Sequence, residues 1–177
     1  MILKIAITGP ESTGKSMLAE QLAAYYHTAW VPEYAREYLE ELGRPYEEKD
    51  IVMIAKGQLE RESAQMQQAS GYLFCDTEMV VTQIWSEVKY KRCDPWILDA
   101  VENHRYDLYL LCDIDLPWQY DPLREHPDQR QFLFDLYHNE LSRRNFPFVV
   151  IRGTGEARLK NGCAVIENFD FKRGGVI

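Results

Sequence analysis

Short apolar runs alternate along this chain with longer segments whose hydrophobic positions recur at helical spacing. Residues 2–8 (ILKIAIT) read as a buried strand, and from Lys15 the pattern turns helical, with Leu18, Leu22 and Tyr25 on one face. Residues 28–32 (TAWVP) predict a shorter second strand. A helix from Ala35 to near Gly43 follows, then a longer one over about 50–69, with Ile51, Ile54, Ala55 and Leu59 as its apolar stripe. Residues 72–75 (YLFC) predict a third strand ending at Asp76, with a helix over 81–90 and a short one from Pro95 behind it. A fourth strand at 108–112 (LYLLC) leads into a charge-rich stretch broken by Pro117, Pro122 and Pro127. Then come a helix bearing Leu133, Leu136, Tyr137 and Leu141, a fifth strand at 148–151 and a last helix over 155–168. Strands separated by helices predict right-handed crossovers. The expected fold is therefore α/β: one domain over 1–177, with a parallel five-stranded sheet and helices on both faces. In such sheets ligands bind at the carboxyl ends of the strands.

Composition narrows the partners. The chain has 177 residues, 46% of them hydrophobic and 27% charged, with a formal net charge of −8, an ordinary globular balance for one core. That charge argues against nucleic-acid or anionic-membrane partners, which reward dense Lys and Arg. A small anionic ligand is still compatible, because a few local donors suffice to hold a phosphate. Cys75, Cys93, Cys112 and Cys163 are scattered without C-x-x-C spacing, and the histidines (His27, His104, His126, His138) lack metal-ligand spacing. Neither a zinc site nor a disulfide framework is expected. With no signal-peptide pattern and no apolar run of membrane length, a reduced, soluble, cytoplasmic protein is expected. A basic run, Lys172-Arg173-Gly174-Gly175, lies near the C-terminus, its order left open.

The strongest chemical signal is residues 9–16 (GPESTGKS), a full match to the Walker A pattern G-x-x-x-x-G-K-[ST] with a strand before it and a helix after it. Gly9 and Gly14 admit backbone angles that let successive N–H groups point inward around an anion, and the helix start adds its positive dipole end. Lys15 supplies a cation for the β- and γ-phosphates of ATP, and the Ser16 hydroxyl a ligand for Mg²⁺. Glu11, Ser12, Thr13 and Met17 complete the expected nucleotide contacts. A carboxylate at the end of a neighbouring apolar strand should face the metal: Asp76 is favoured for this Walker B role, with Asp113 as rival. The segment 116–131 offers Arg124 and Arg130. It reads equally as a lid whose arginines stabilise phosphoryl transfer, or as a solvated loop whose arginines pair with Glu125, Asp121 and Asp128.

Taken in order, GPESTGKS, then residues 32–39 (PEYAREYL), then residues 74–85 (FCDTEMVVTQIW), then the arginine-bearing segment resemble one family. It is the ribosylnicotinamide kinase domain of the bifunctional NAD-salvage regulators and its stand-alone bacterial relatives. The likeness runs over roughly residues 3–168. It implies a nucleoside-kinase-like fold that transfers the γ-phosphate of ATP to the 5′-hydroxyl of nicotinamide riboside. Larger members carry a DNA-binding module and an adenylyltransferase. The chain starts just before the first strand and contains no H-x-G-H motif, so those activities are not expected of it.

Substrate residues follow from position. Glu33, ending the second strand, can accept the proton of an attacking hydroxyl, as an acid does there in similar kinases; as an alternative it is a helix N-terminal acid. Arg36, one turn on, would fix Glu33 or meet the growing phosphate, or else form a surface ion pair. Tyr34 and Trp85 are candidates to stack on a planar cationic ring, against a plain role in the core. Thr77 and Glu78 would bond ribose hydroxyls or cap a helix. Arg152 and Thr154, after the last strand, are candidates for the adenine end. Two other functions compete: another small-molecule or nucleoside kinase, and an ATP-dependent regulatory switch with slow hydrolysis. A GTPase switch would need an [NT]-K-x-D motif, which is absent.

Overall fold

In a computed structural model, which describes residues 1–171 and 175–176, every predicted strand and helix is present. β1 (Leu3–Thr8) leads to α1 (Lys15–Tyr26), β2 (Trp30–Val31), α2 (Tyr34–Glu41) and α3 (Glu48–Met66). Then come β3 (Tyr72–Asp76), α4 (Met79–Tyr90), α5 (Pro95–Asn103) and β4 (Leu108–Cys112). α6 (Arg130–Arg143), β5 (Phe148–Ile151) and α7 (Gly155–Asn168) complete the alternation. A short antiparallel pair, β6 (Phe169–Asp170) with β7 (Gly175–Val176), was not foreseen. Residues 172–174 of the basic run lie outside the described residues.

The five main strands pair in parallel in the order β2-β3-β1-β4-β5. β1 is central, with Ile7 opposite Asp76 on one side and Leu110 on the other. Coverage on both faces explains why β4 is buried at all five positions instead of alternating. One core packs Ile5, Ile7, Phe74, Leu108 and Leu110 of the sheet against Leu18 and Leu22 of α1 and Ile166 of α7. The other packs Ala6, Leu73, Cys75 and Tyr109 against Ile51 of α3, Ile84 of α4 and Ile97 of α5. Alternate residues of one strand therefore serve opposite cores. All four cysteines are free thiols, and no helix among the described residues is long and apolar enough to cross a membrane.

Three of the boundaries that differ from expectation each place a site residue. β2 is only two residues long, so Glu33 lies in the turn after it and acts as the N-cap of α2. α4 opens at Met79 because Glu78 caps it, its carboxylate accepting the Val80 N–H at 2.6 Å. α6 opens at Arg130, so the predicted lid gives up its last two residues to a helix.

α3 also carries polar residues on its buried stripe. Gln58 and Glu62 are each 2% exposed, in line with Ile51 and Ala55. Glu62 is bonded by the Tyr106 hydroxyl and lies 2.7 Å from His104 Nε2, so its burial is compensated.

Candidate active site

The loop after β1 is shaped by close approach. Gly9 stands at φ +128° and Gly14 at φ +75°. A Cβ would lie 2.9 Å from the Cys112 carbonyl at the first and 2.8 Å from the Leu116 side chain at the second. The Thr13 hydroxyl donates to the Pro10 carbonyl at 2.7 Å, and Lys15 Nζ donates to the same oxygen at 2.9 Å. Behind the loop, Arg158 of α7 is 4% exposed. Its guanidinium donates to the carbonyls of Thr13 (2.9 Å) and Gly153 (2.7 Å) and pairs with Asp115. The sequence reading missed Arg158. Its signal is a cation on the buried face that α7 shares with Gly162, Cys163 and Ile166.

The two carboxylates expected beside the loop differ sharply. Asp76 is 1% exposed, and both its carboxylate oxygens are buried without a hydrogen-bond partner. Burial, reinforced by the Glu33 carboxylate, pushes its pKa up to about 7, while Lys15 and the Ser16 hydroxyl oppose the rise. Asp113, the rival, accepts from Arg152 Nε at 2.8 Å and from the Ile114 N–H at 2.7 Å. Both of its carboxylate oxygens are thereby partnered. Glu33 lines the cavity beside the loop; it also stands at the N-terminus of α2, the position of the alternative reading, though its side chain makes no capping bond.

That cavity has a volume of about 740 Å³, ample for a nucleoside beside a triphosphate. One end is the phosphate loop; the other is walled by Leu39, Tyr46, Ile84, Trp85, Leu133 and Tyr137. Trp85 and Tyr46 meet edge to face with centroids 5.1 Å apart, and the indole N–H donates to the Tyr46 hydroxyl at 2.9 Å. That hydroxyl donates in turn to Glu125 at 2.6 Å, and Lys89 pairs with the same carboxylate at 2.7 Å. Arg44, forked onto Asp50 at 2.8 and 2.9 Å, fixes the turn that presents Tyr46.

Residues between β4 and α6 form a roof tied to the loop beneath it. Glu11 accepts the N–H groups of Glu125 (3.2 Å) and His126 (3.0 Å), and the Ser12 hydroxyl accepts that of Gln119 (2.8 Å). Arg130 donates to the carbonyls of Leu116 (2.8 Å) and Ser12 (3.3 Å), and Arg124 to that of Gln119. Neither arginine makes the carboxylate pairs that a solvated loop would give. Asp121 is instead taken by Arg36 at 2.9 Å and Glu125 by Lys89. Both guanidinium groups lie 6.0 Å from the Trp118 ring.

Several expected substrate residues lie elsewhere. Tyr34 does not face the cavity: its ring covers Gly57 of α3, where a Cβ would sit 2.0 Å away, and Arg61 stacks on it at 4.8 Å. Glu78 is buried as a helix cap that also accepts from the Thr8 hydroxyl at 2.9 Å, so it is committed to the fold. Thr77 is 6% exposed at φ +72° with its hydroxyl unpartnered, and it does not line the cavity. Arg152 is engaged by Asp113 and Thr154 is the N-cap of α7; the cavity reaches their neighbours Gly155 and Arg158 instead. Lys15, Ser16, Met17, Glu33, Arg36, Trp85 and Arg124 do line it.

Sheet order, phosphate loop and roofing segment put the protein in the P-loop class, with the layout of nucleoside and nucleotide kinases. A family model described as an AAA domain matches residues 4–158, and the chain belongs to that family.

The chain is 30% identical over 154 residues to the trifunctional NAD biosynthesis/regulator protein NadR of Escherichia coli (strain K12), covering 82% of this chain and 37% of that protein. The chain thus spans well under half the length of the curated relatives it matches. A crystal structure of NadR protein in complex with NR superposes with a TM-score of 0.75 at 19% identity, over 93% of this chain and 50% of that one. Deoxyadenosine kinase from M. mycoides with bound dCTP does so with a TM-score of 0.60 at 17% identity, over 93% and 99%. At these identities the superpositions show the fold.

Proposed function

We propose that this chain transfers the γ-phosphate of ATP to the 5′-hydroxyl of nicotinamide riboside, giving nicotinamide mononucleotide. The observation that carries the reading is the position of Glu33: a carboxylate free of capping bonds that lines the same cavity as the phosphate loop and the aromatic wall. The identity to NadR and the fold of the NR complex favour this riboside over other acceptors.

In this reading Glu33 accepts the proton of the attacking 5′-hydroxyl and holds its oxygen in line. Lys15 and the loop amides hold the β- and γ-phosphates, and Arg124 and Arg130 meet charge developing on the transferred group. Arg36 spans from the Glu33 helix to Asp121 of the roof, coupling acceptor binding to closure. Trp85 and Tyr46 give a cationic nicotinamide ring an aromatic face.

The residues present fit Mg²⁺. Asp76 has two buried, unbonded oxygens close to the Ser16 hydroxyl, and a hard cation kept largely by phosphates and water needs few protein ligands. Asp76 and Ser16 would hold the ion, which when bound would neutralise phosphate charge. A reducing, cytoplasmic setting suits the unpaired cysteines.

The test is ADP release by the purified chain with ATP and a panel of acceptors, with the product identified by mass. Nicotinamide riboside should give the highest kcat/KM and a product heavier by one phosphoryl group. Equal or better turnover of adenosine or thymidine would replace the acceptor. ATP hydrolysis that no acceptor stimulates would return the protein to the class of switches.

A further inference from the structure

We infer that Gln58 is a positioning residue for this site: its single carboxamide ties the start of α2, next to Glu33, to the end of β3, at Asp76. The inference rests on the kinase reading for its consequence in turnover, and on the assignment of Asp76 to Mg²⁺ for its effect on metal-dependent nucleotide binding.

Gln58 occupies a place on α3 where the helical period calls for an apolar side chain, and it is 2% exposed. A buried amide is costly unless its donors and acceptor are satisfied. Here each finds a main-chain partner from another segment. Its Oε1 accepts the Tyr34 N–H at 2.8 Å, and its Nε2 donates to the carbonyls of Asp76 at 3.2 Å and Thr77 at 3.4 Å. Tyr34 immediately follows Glu33 and opens α2, so this bond satisfies an N–H that a helix start leaves without an intrahelical partner. One side chain thereby fastens the start of α2 and the end of β3 to the same turn of α3.

The β3 side has the greater need of it. The Asp76 carboxylate has no hydrogen-bonding partner of its own, so its direction is set through its main chain. The next residue, Thr77, is held at φ +72°, a conformation that a β-branched residue resists. Such a conformation persists only where its surroundings fix it. Three bonds do so: the Thr77 N–H to the Ile7 carbonyl at 3.1 Å, and the Gln58 amide to the carbonyls of Asp76 and Thr77. Without Gln58 the turn can relax, and Asp76 rotates away from the loop while Glu33 loses its fixed distance to it.

Two variants separate this role from plain packing. Gln58→Met keeps the side-chain length and removes all three bonds. Gln58→Glu keeps an acceptor for Tyr34 but sets a carboxylate against the Asp76 and Thr77 carbonyls. Calorimetric titration with ATP, with and without Mg²⁺, needs no acceptor and therefore reports even if the riboside assignment fails. Folding is checked on the same samples by thermal unfolding.

Loss of an outer partner of a metal ligand typically costs about 10–100-fold. The Mg²⁺-dependent gain in ATP affinity should fall by about that factor in both variants, with metal-free ATP binding within about twofold of wild type. With the riboside, kcat should fall by a similar factor while its KM changes little. Either folded variant keeping the wild-type Mg²⁺ gain would overturn the inference. So would an equal loss of metal-free binding, which marks Gln58 as packing. A wild-type chain that binds Mg²⁺ and ATP but turns over no acceptor would instead defeat the proposed function, leaving the metal result to judge Gln58.

Discussion

The two ends of the cleft are built by different means. The phosphate end is eight consecutive residues and the first turn of a helix, and its donors are largely main chain. The acceptor end draws Tyr46, Trp85, Lys89 and Glu125 from three separate segments and joins them through side-chain bonds alone. A backbone cradle serves any triphosphate and changes little with the surrounding sequence. In the proposed function a cage of side chains sets which acceptor is taken, and among the described residues its Glu125 is tied to the loop only through the Glu11 carboxylate. Chemistry should therefore be lost by changes at the first end or at the junction, and selectivity by changes at the second.

The largest effect should come from the phosphate end. Lys15→Ala removes a cation aimed at developing phosphate charge and should lower kcat by about 1,000-fold with thermal stability unchanged. A variant that keeps near-normal turnover would detach the loop from catalysis. At the junction, Glu33→Gln keeps the shape and loses the base; kcat should drop by about 100-fold or more, with ATP affinity intact. Equal losses in ATP binding would make Glu33 a structural residue.

Trp85→Ala should act on the other end only. It should raise KM for the riboside about tenfold, consistent with roughly 1–2 kcal/mol from an aromatic face over a cation, while KM for ATP stays put. A rise in both would mean that the two ends are not separable.

The smallest effect is on stability, and its sign distinguishes a functional from a structural carboxylate. The folded protein holds Asp76 at a pKa of about 7, above an unfolded value near 4, so the wild type is progressively penalised as pH rises between these values. Asp76→Asn removes the penalty. It should raise Tm by about 5 °C at pH 8, with the gain shrinking as pH falls and vanishing below about pH 4. A variant less stable than wild type at pH 8 would show that the carboxylate supports the fold.

The same contrast explains what could be read from the sequence. The strands and the phosphate loop were legible because both are local patterns: β4 is one apolar run, and residues 9–16 carry their chemistry in fixed spacing. Asp76 was legible as the polar end of an apolar strand, but only its lack of partners separates it from Asp113, which has the same look and is occupied by Arg152. Tyr46, Lys89 and Glu125 carry no signal alone, since contacts across 36 to 79 positions give them their roles. Tyr34 misled for the opposite reason: its neighbours Glu33 and Arg36 face the cavity, but one step of helical rotation turns its ring onto Gly57. Gln58 and Arg158 left a usable trace, polar side chains on buried helical faces.

In the proposed function both ends of the cleft converge on Glu33. A crystal structure of this chain with nicotinamide riboside, Mg²⁺ and a non-hydrolysable ATP analogue tests it most directly. The account predicts the γ-phosphate on the loop amides, the nicotinamide ring against Trp85, and the 5′-hydroxyl within hydrogen-bond reach of Glu33. A riboside bound with its 5′-hydroxyl turned away from Glu33, or a triphosphate seated off the loop, would contradict it.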